Sequence, residues 1–134
     1  MPLLNAIAAE ARPPLTACHA SPQHIANTAW SFSKLLVVHA PLLPSLASAA
    51  IRTITEFKPL ELPITLWAFS TLTVRDAPLL ASISSAAIAL RCELEMLDLS
   101  NTAWSLSALA CTDEPLLEAI ASQARATLQD AGPG

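Results

Sequence analysis

The chain has 134 residues, of which 53% are hydrophobic and only 2 are glycine, and 7 basic against 11 acidic side chains leave a net charge of −4. So much apolar surface supplies an ample core, while so few glycines make little provision for tight β-turns, and strands are not expected. The acidic balance also lacks the basic footprint that phosphate attraction usually leaves on a nucleic-acid binder.

An internal repeat of 37 residues organises everything else, and it has to be settled before any local reading. Trp30, Trp67 and Trp104, the only tryptophans, are each 37 positions apart. Pro-Leu-Leu keeps the same interval at Pro41-Leu42-Leu43, Pro78-Leu79-Leu80 and Pro115-Leu116-Leu117. A further copy at Pro2-Leu3-Leu4 stands 39 residues ahead of the next, which puts a two-residue insertion at Pro13-Pro14. Ile25/Leu62/Leu99, Thr28/Thr65/Thr102, Phe32/Phe69/Leu106 and Ser33/Ser70/Ser107 align without a gap. The expected fold is all-α: an α-solenoid of stacked antiparallel helical hairpins, about 3.5 repeats long, each contacting only its neighbours.

In chain order, residues 1–20 read as a half repeat equivalent to the second helix of a unit, followed by full repeats at 21–57, 58–94 and 95–131. Together they form one helical-repeat domain over 1–134. The start in mid-repeat leads us to expect a fragment of a longer array, because terminal units normally change character to shield their outer faces. The first helix of each unit, helix A, is expected over 22–36, 60–73 and 97–110. Ser21 is placed as its N-cap and Pro22 at the tolerated first position. Helix B begins at each Pro-Leu-Leu, with Asp76 and Asp113 just upstream to favour the positive helix end, and runs to near Phe57, Leu94 and Gln129. Leu42, Leu46, Ala50, Ile54 and Phe57 recur at spacings of three and four, one face of a helix that packs on helix A.

Residues 35–51 carry no Asp, Glu, Lys or Arg. They fall short of the ~20 residues a membrane span needs and contain His39, Pro41 and Pro44, so no membrane partner is expected. The N-terminal stretch, with Arg12 as its only basic residue and Glu10 beside it, is poor as a targeting peptide.

Catalytic chemistry has no visible carrier. Cys18, Cys92 and Cys111 form no C-x-x-C pair and are read as reduced structural thiols. Cys18-His19 would supply two metal ligands, but no further pair follows at a useful distance. Glu93 and Glu95, at i and i+2 of a helix, splay apart. With no G-x-S-x-G, phosphate-cradling glycine loop or H-E-x-x-H, the sequence gives no catalytic residue, metal site or cofactor, and the protein is expected not to be an enzyme.

What remains is a binding surface. With Trp as origin and about 100° per residue, the constant apolar columns at −5, −1, +2 and +5 cluster as the core. The columns at −6, −3, +1 and +4 vary among units: His24/Glu61/Asp98, Asn27/Ile64/Asn101, Ser31/Ala68/Ser105 and Lys34/Thr71/Ala108. The tryptophans themselves are expected to be packing wedges between repeats rather than stacking platforms for bases.

The blocks Ile25-Ala26-Asn27-Thr28-Ala29-Trp30-Ser31-Phe32-Ser33-Lys34-Leu35 and Leu99-Ser100-Asn101-Thr102-Ala103-Trp104-Ser105-Leu106-Ser107-Ala108-Leu109, each followed by a Pro-Leu-Leu helix, resemble octotricopeptide repeats. Similar repeats occur in RAP-domain proteins and in mitochondrial RNA-editing substrate-binding complexes. The middle unit departs from the pattern, with Ile64-Thr65-Leu66-Trp67 in place of Asn-Thr-Ala-Trp, and no RAP-like segment is present. The resemblance implies a modular single-stranded RNA-binding protein of a chloroplast or mitochondrion, acting in RNA stability, processing or translation, with proteins of an RNA-processing complex as further partners. On that reading the variable columns at −3, +1 and +4 supply the candidate base-facing positions: Asn27, Ser31, Lys34, Ile64, Ala68, Thr71, Asn101, Ser105 and Ala108. Helical repeats of this kind read about one base each, so three units specify only about three bases. The competing expectation is a protein–protein interaction scaffold of HEAT-like repeats, favoured by the acidic balance and the uncharged Ala/Ser-rich helices.

Overall fold

A computed structural model describes residues 2–16 and 20–132, the side chains of 11–16 excepted. Among the described residues there are seven α-helices and no strand: α1 (Pro2–Thr16), α2 (Pro22–Lys34), α3 (Leu42–Arg52), α4 (Glu61–Thr71), α5 (Ala77–Ala89), α6 (Met96–Ala108) and α7 (Glu114–Asp130). Cys18 and His19 lie outside the described residues.

Three hairpins, α2/α3, α4/α5 and α6/α7, stack side by side. Their first helices form one layer in the order α2, α4, α6, and the second helices form another in the order α1, α3, α5, α7. The core lies between the layers and is built from the repeat columns: Ile25, Leu62 and Leu99 from one side, Leu42, Leu79 and Leu116 from the other, all fully buried. Thr65 and Thr102 are buried among them without an orphaned hydroxyl, because Oγ1 donates to the carbonyls of Glu61 (2.9 Å) and Asp98 (2.7 Å). Among the described residues no buried polar side-chain atom lacks a partner.

Helix starts repeat as faithfully as the core. Asp76 and Asp113 each accept a hydrogen bond from the N–H three residues on, at Leu79 and Leu116, both at 3.0 Å. In the first full repeat the same column holds His39, whose Nδ1 accepts from the Leu42 N–H at 3.1 Å. Asp76 and Asp113 are therefore true N-caps of helix B, while His39 makes the equivalent bond from the turn ahead of α3, whose own N-cap is Pro41. Helix A ends are also uniform. Leu36, Thr73 and Ala110 all have positive φ (54°, 56° and 51°), and the following N–H groups of Val37, Val74 and Cys111 reach back to Phe32, Phe69 and Leu106 at 2.8–3.0 Å. This is a Schellman closure, held here by non-glycine residues in a left-handed conformation.

Helix B is shorter than its apolar spacing suggests. α3 stops at Arg52 and α5 at Ala89, each followed by a 3₁₀ turn, Ile54–Glu56 and Arg91–Glu93. Extended backbone at Phe57 and Leu94 then drops those side chains into the core. α7 runs on to Asp130 because the same column there is Ala131, which has no large side chain to bury. Glu93 and Glu95 consequently sit on different elements, the first closing a 3₁₀ turn and the second capping α6. Cys92, exposed on that turn, and Cys111, half-buried against the core, are both free thiols. No helix of the described residues is long and apolar enough to cross a membrane.

Candidate functional site

The outer face of the α2/α4/α6 layer carries four columns, at −7, −3, 0 and +4 from each tryptophan: Gln23/Leu60/Leu97, Asn27/Ile64/Asn101, Trp30/Trp67/Trp104 and Lys34/Thr71/Ala108. At about 100° per residue these fall within an arc of roughly 60°, opposite the core columns. Trp30 is 45% and Trp104 53% exposed, Trp67 is half-buried, and Leu60 and Leu97 are largely open to solvent. The tryptophans are thus not wedges between repeats. They sit on the open face, at one edge of its arc, and the stripe is rotated by roughly 50° from the one the variable columns suggest.

That rotation sorts the sequence-derived candidates. Asn27, Ser31, Lys34 and Ala108 are exposed, and Ile64, Thr71 and Asn101 are half-buried on the outer face. Ala68 (1% exposed) and Ser105 (0%) are buried, so neither meets a ligand. Their column points toward the preceding helix of the layer: α2 covers Ala68 and α4 covers Ser105, while Ser31, with no such helix before it among the described residues, stays open. The mirror column confirms the geometry, since Ser33 and Ser70 are buried toward α4 and α6 and Ser107 is exposed. In the −6 column two of three side chains drop out. Glu61 and Asp98 turn back to accept from the N–H groups of Lys58 (2.8 Å) and Glu95 (3.1 Å), whereas His24 uses only its backbone N–H, which donates to the Ser21 cap (3.3 Å), and its side chain stays exposed.

Polar groups on the face differ in what they have left to offer. Ser31 and Thr71 donate their hydroxyl protons to the carbonyls of Asn27 (2.8 Å) and Trp67 (2.9 Å), so only their lone pairs remain. Among the described residues the side-chain amides of Asn27 and Asn101 are committed to no partner; only the backbone carbonyls are engaged, by Ser31 and Ser105. The Lys34 ammonium lies 5.8 Å from the Trp30 ring centroid, within cation–π range. A groove of about 200 Å³ runs across the layer, with Trp30, Ile64, Trp67 and Asn101 from three successive repeats in its walls, and with Asp98, whose carboxylate is engaged by the Glu95 N–H, also lining it. A larger one, about 620 Å³, opens on the other layer beside α5, lined by Ile54, Phe57, Ala81, Ser85 and their neighbours and by no charged or amide side chain. Its only polar side chains are the hydroxyls of Thr55, Ser82 and Ser85. Among the described residues no cluster of three His, Cys, Asp or Glu side chains is placed to hold a metal ion.

Residues 5–133 match the family model of the RNA-editing substrate-binding complex 6 protein. The chain belongs to that family. No curated protein matches it. Of the groups the tryptophan blocks resemble, the RNA-editing substrate-binding one is therefore the group reached by the whole chain, and membership ties this solenoid to an RNA-editing complex. The columns that the sequence-derived stripe missed are the tryptophans and Leu60/Leu97. Their signal was present in the angular arithmetic, which sets Trp roughly 155° from the centre of the core columns.

Proposed function

We propose that this chain is a non-catalytic module that holds single-stranded RNA on the outer face of its α2/α4/α6 layer, as part of an organellar RNA-editing substrate-binding assembly. The chloroplast or mitochondrial setting, and the wider roles in RNA stability, processing and translation, rest on the likeness to octotricopeptide repeats. The observation that carries the reading is the chemistry of the face. Its four columns over three repeats contain no Asp or Glu, in a chain where acids outnumber bases, and they keep three uncommitted amides, those of Gln23, Asn27 and Asn101, together with Lys34. Acids are instead spent on helix starts, as at Glu61, Asp76, Asp98 and Asp113.

With one cation on the face, affinity comes mainly from contacts other than phosphate neutralisation, and the salt slope is correspondingly shallow. Filter binding of the chain to a pool of organellar RNA across a salt series tests this. Retention that weakens when Asn27, Lys34 and Asn101 are all replaced by Ala supports the reading; no retention at any salt contradicts it. A second reading, a protein-docking scaffold, is favoured by the exposed Leu60 and Leu97 on the same face and by Leu35, Leu36 and Val38 at the end of α2. Nuclease-resistant capture of assembly partners, with no RNA retained, would favour it.

A further inference from the structure

We infer that Trp30, Trp67 and Trp104 form a ladder of stacking platforms, each taking an unpaired base of an extended RNA strand, with the amides of Asn27 and Asn101 at the base edges. The inference rests on the RNA reading of this face and specifies its ligand. An indole is the largest apolar side chain available, and a fold with two packed layers has room to bury it; here the same register holds two of the three half open to water. Trp67, with a helix of its layer on each side, is half-buried, and Trp30 and Trp104, with such a helix on one side among the described residues, are more open. The Trp column still faces outward in every repeat, whereas the side columns at +1 and +3 are buried wherever an adjacent helix covers them.

Spacing selects the form of the strand. Packed helices lie about 8–10 Å apart, so indoles on α2, α4 and α6 are separated by more than the ~3.4 Å rise between stacked bases. Successive rings cannot clasp neighbours within a stack or a duplex, and each accepts a base only when the strand is drawn out and its bases are unstacked. Asn27 stands three residues before Trp30, and Asn101 three before Trp104, so each amide is next to a ring on the same helix face. An uncommitted amide offers a donor and an acceptor together, the pairing that base edges present. Ile64 takes this place beside Trp67, giving the central position stacking without an amide. Lys34, 5.8 Å from the Trp30 ring centroid, steadies that indole and supplies a positive charge for the adjoining phosphate.

Fluorescence tests the ladder, because the chain has no tyrosine and its three indoles dominate the emission. The intact chain is titrated with oligouridine, with oligoadenine and with a duplex formed from the two. The expected result is quenching by both single strands, little response to the duplex, and affinity lowered about ten-fold or more by Trp30→Ala or Trp104→Ala. Trp→Phe at the same positions retains part of the affinity, and circular-dichroism melting shows that the folded state is kept. Oligonucleotide binding that leaves emission unchanged and is indifferent to both alanine variants overturns the ladder but not RNA binding. Equal binding of the duplex also overturns it. If none of the three binds, the ladder and the RNA reading are overturned together, and the apolar face is left to a protein partner.

Discussion

The middle repeat and its two neighbours share one set of columns, yet they differ in what they bury and what they offer. α4 is flanked by α2 and α6, and Leu62, Thr65, Leu66, Ala68, Phe69 and Ser70 are all buried. α6 has a helix of its layer on one side only, and there Ala103 is partly buried and Ser107 exposed, where the equivalents Leu66 and Ser70 are buried. On the outer face the order reverses. The flanking units carry Asn27 and Asn101 with open indoles, and the middle unit carries Ile64 with a half-buried one. The central unit is built for cohesion and the outer units for contact. Column identity fixes the helix and its core face, while adjacent helices fix which of the side columns a ligand can reach.

The comparison is most easily broken in the core of α4. Phe69→Ala empties a site that is 1% exposed between two neighbouring helices, and should cost about 3–5 kcal/mol in urea unfolding. A loss below ~1 kcal/mol would mean the layer does not pack as described. The three tryptophans provide the next contrast. Trp67→Ala should cost about 1–2 kcal/mol, and Trp30→Ala and Trp104→Ala less than ~1 kcal/mol each, in proportion to the area they bury. Equal and large losses at all three would restore the wedge.

That contrast also shows how far the sequence could be read. Three tryptophans at one interval were enough to give the period, the hairpins and the core columns, because burial between layers repeats with the same register as the residues. The apolar character of Trp argued for burial and concealed its position on the open face. Variability alone does not say which neighbour covers a column, so Ala68 and Ser105 read as surface residues in the sequence although both are buried. Likewise the apolar spacing of helix B ran through Thr53, where α3 in fact ends: Phe57 is buried after a change of backbone direction rather than on a continuing helix.

Smaller effects sharpen the capping pattern. Removing the cap carboxylate by Asp76→Ala should cost about 1 kcal/mol, and His39→Asp, which brings the first full repeat into line with the other two, should gain about 0.5 kcal/mol; thermal unfolding reads both. The smallest change is expected at the helix A ends. Ala110→Gly relieves a left-handed alanine at φ 51° but loosens the unfolded chain, for a net gain of up to about 0.5 kcal/mol in the same assay. A loss there would mean that the left-handed backbone is not strained.

The most direct test of where RNA lies is photocross-linking of a 4-thiouridine-substituted single strand to the intact chain, followed by peptide mapping. Adducts on peptides containing Trp30, Trp67 or Trp104 are the predicted result. Adducts confined to α3, α5 and α7 would place the strand on the opposite layer and contradict the account.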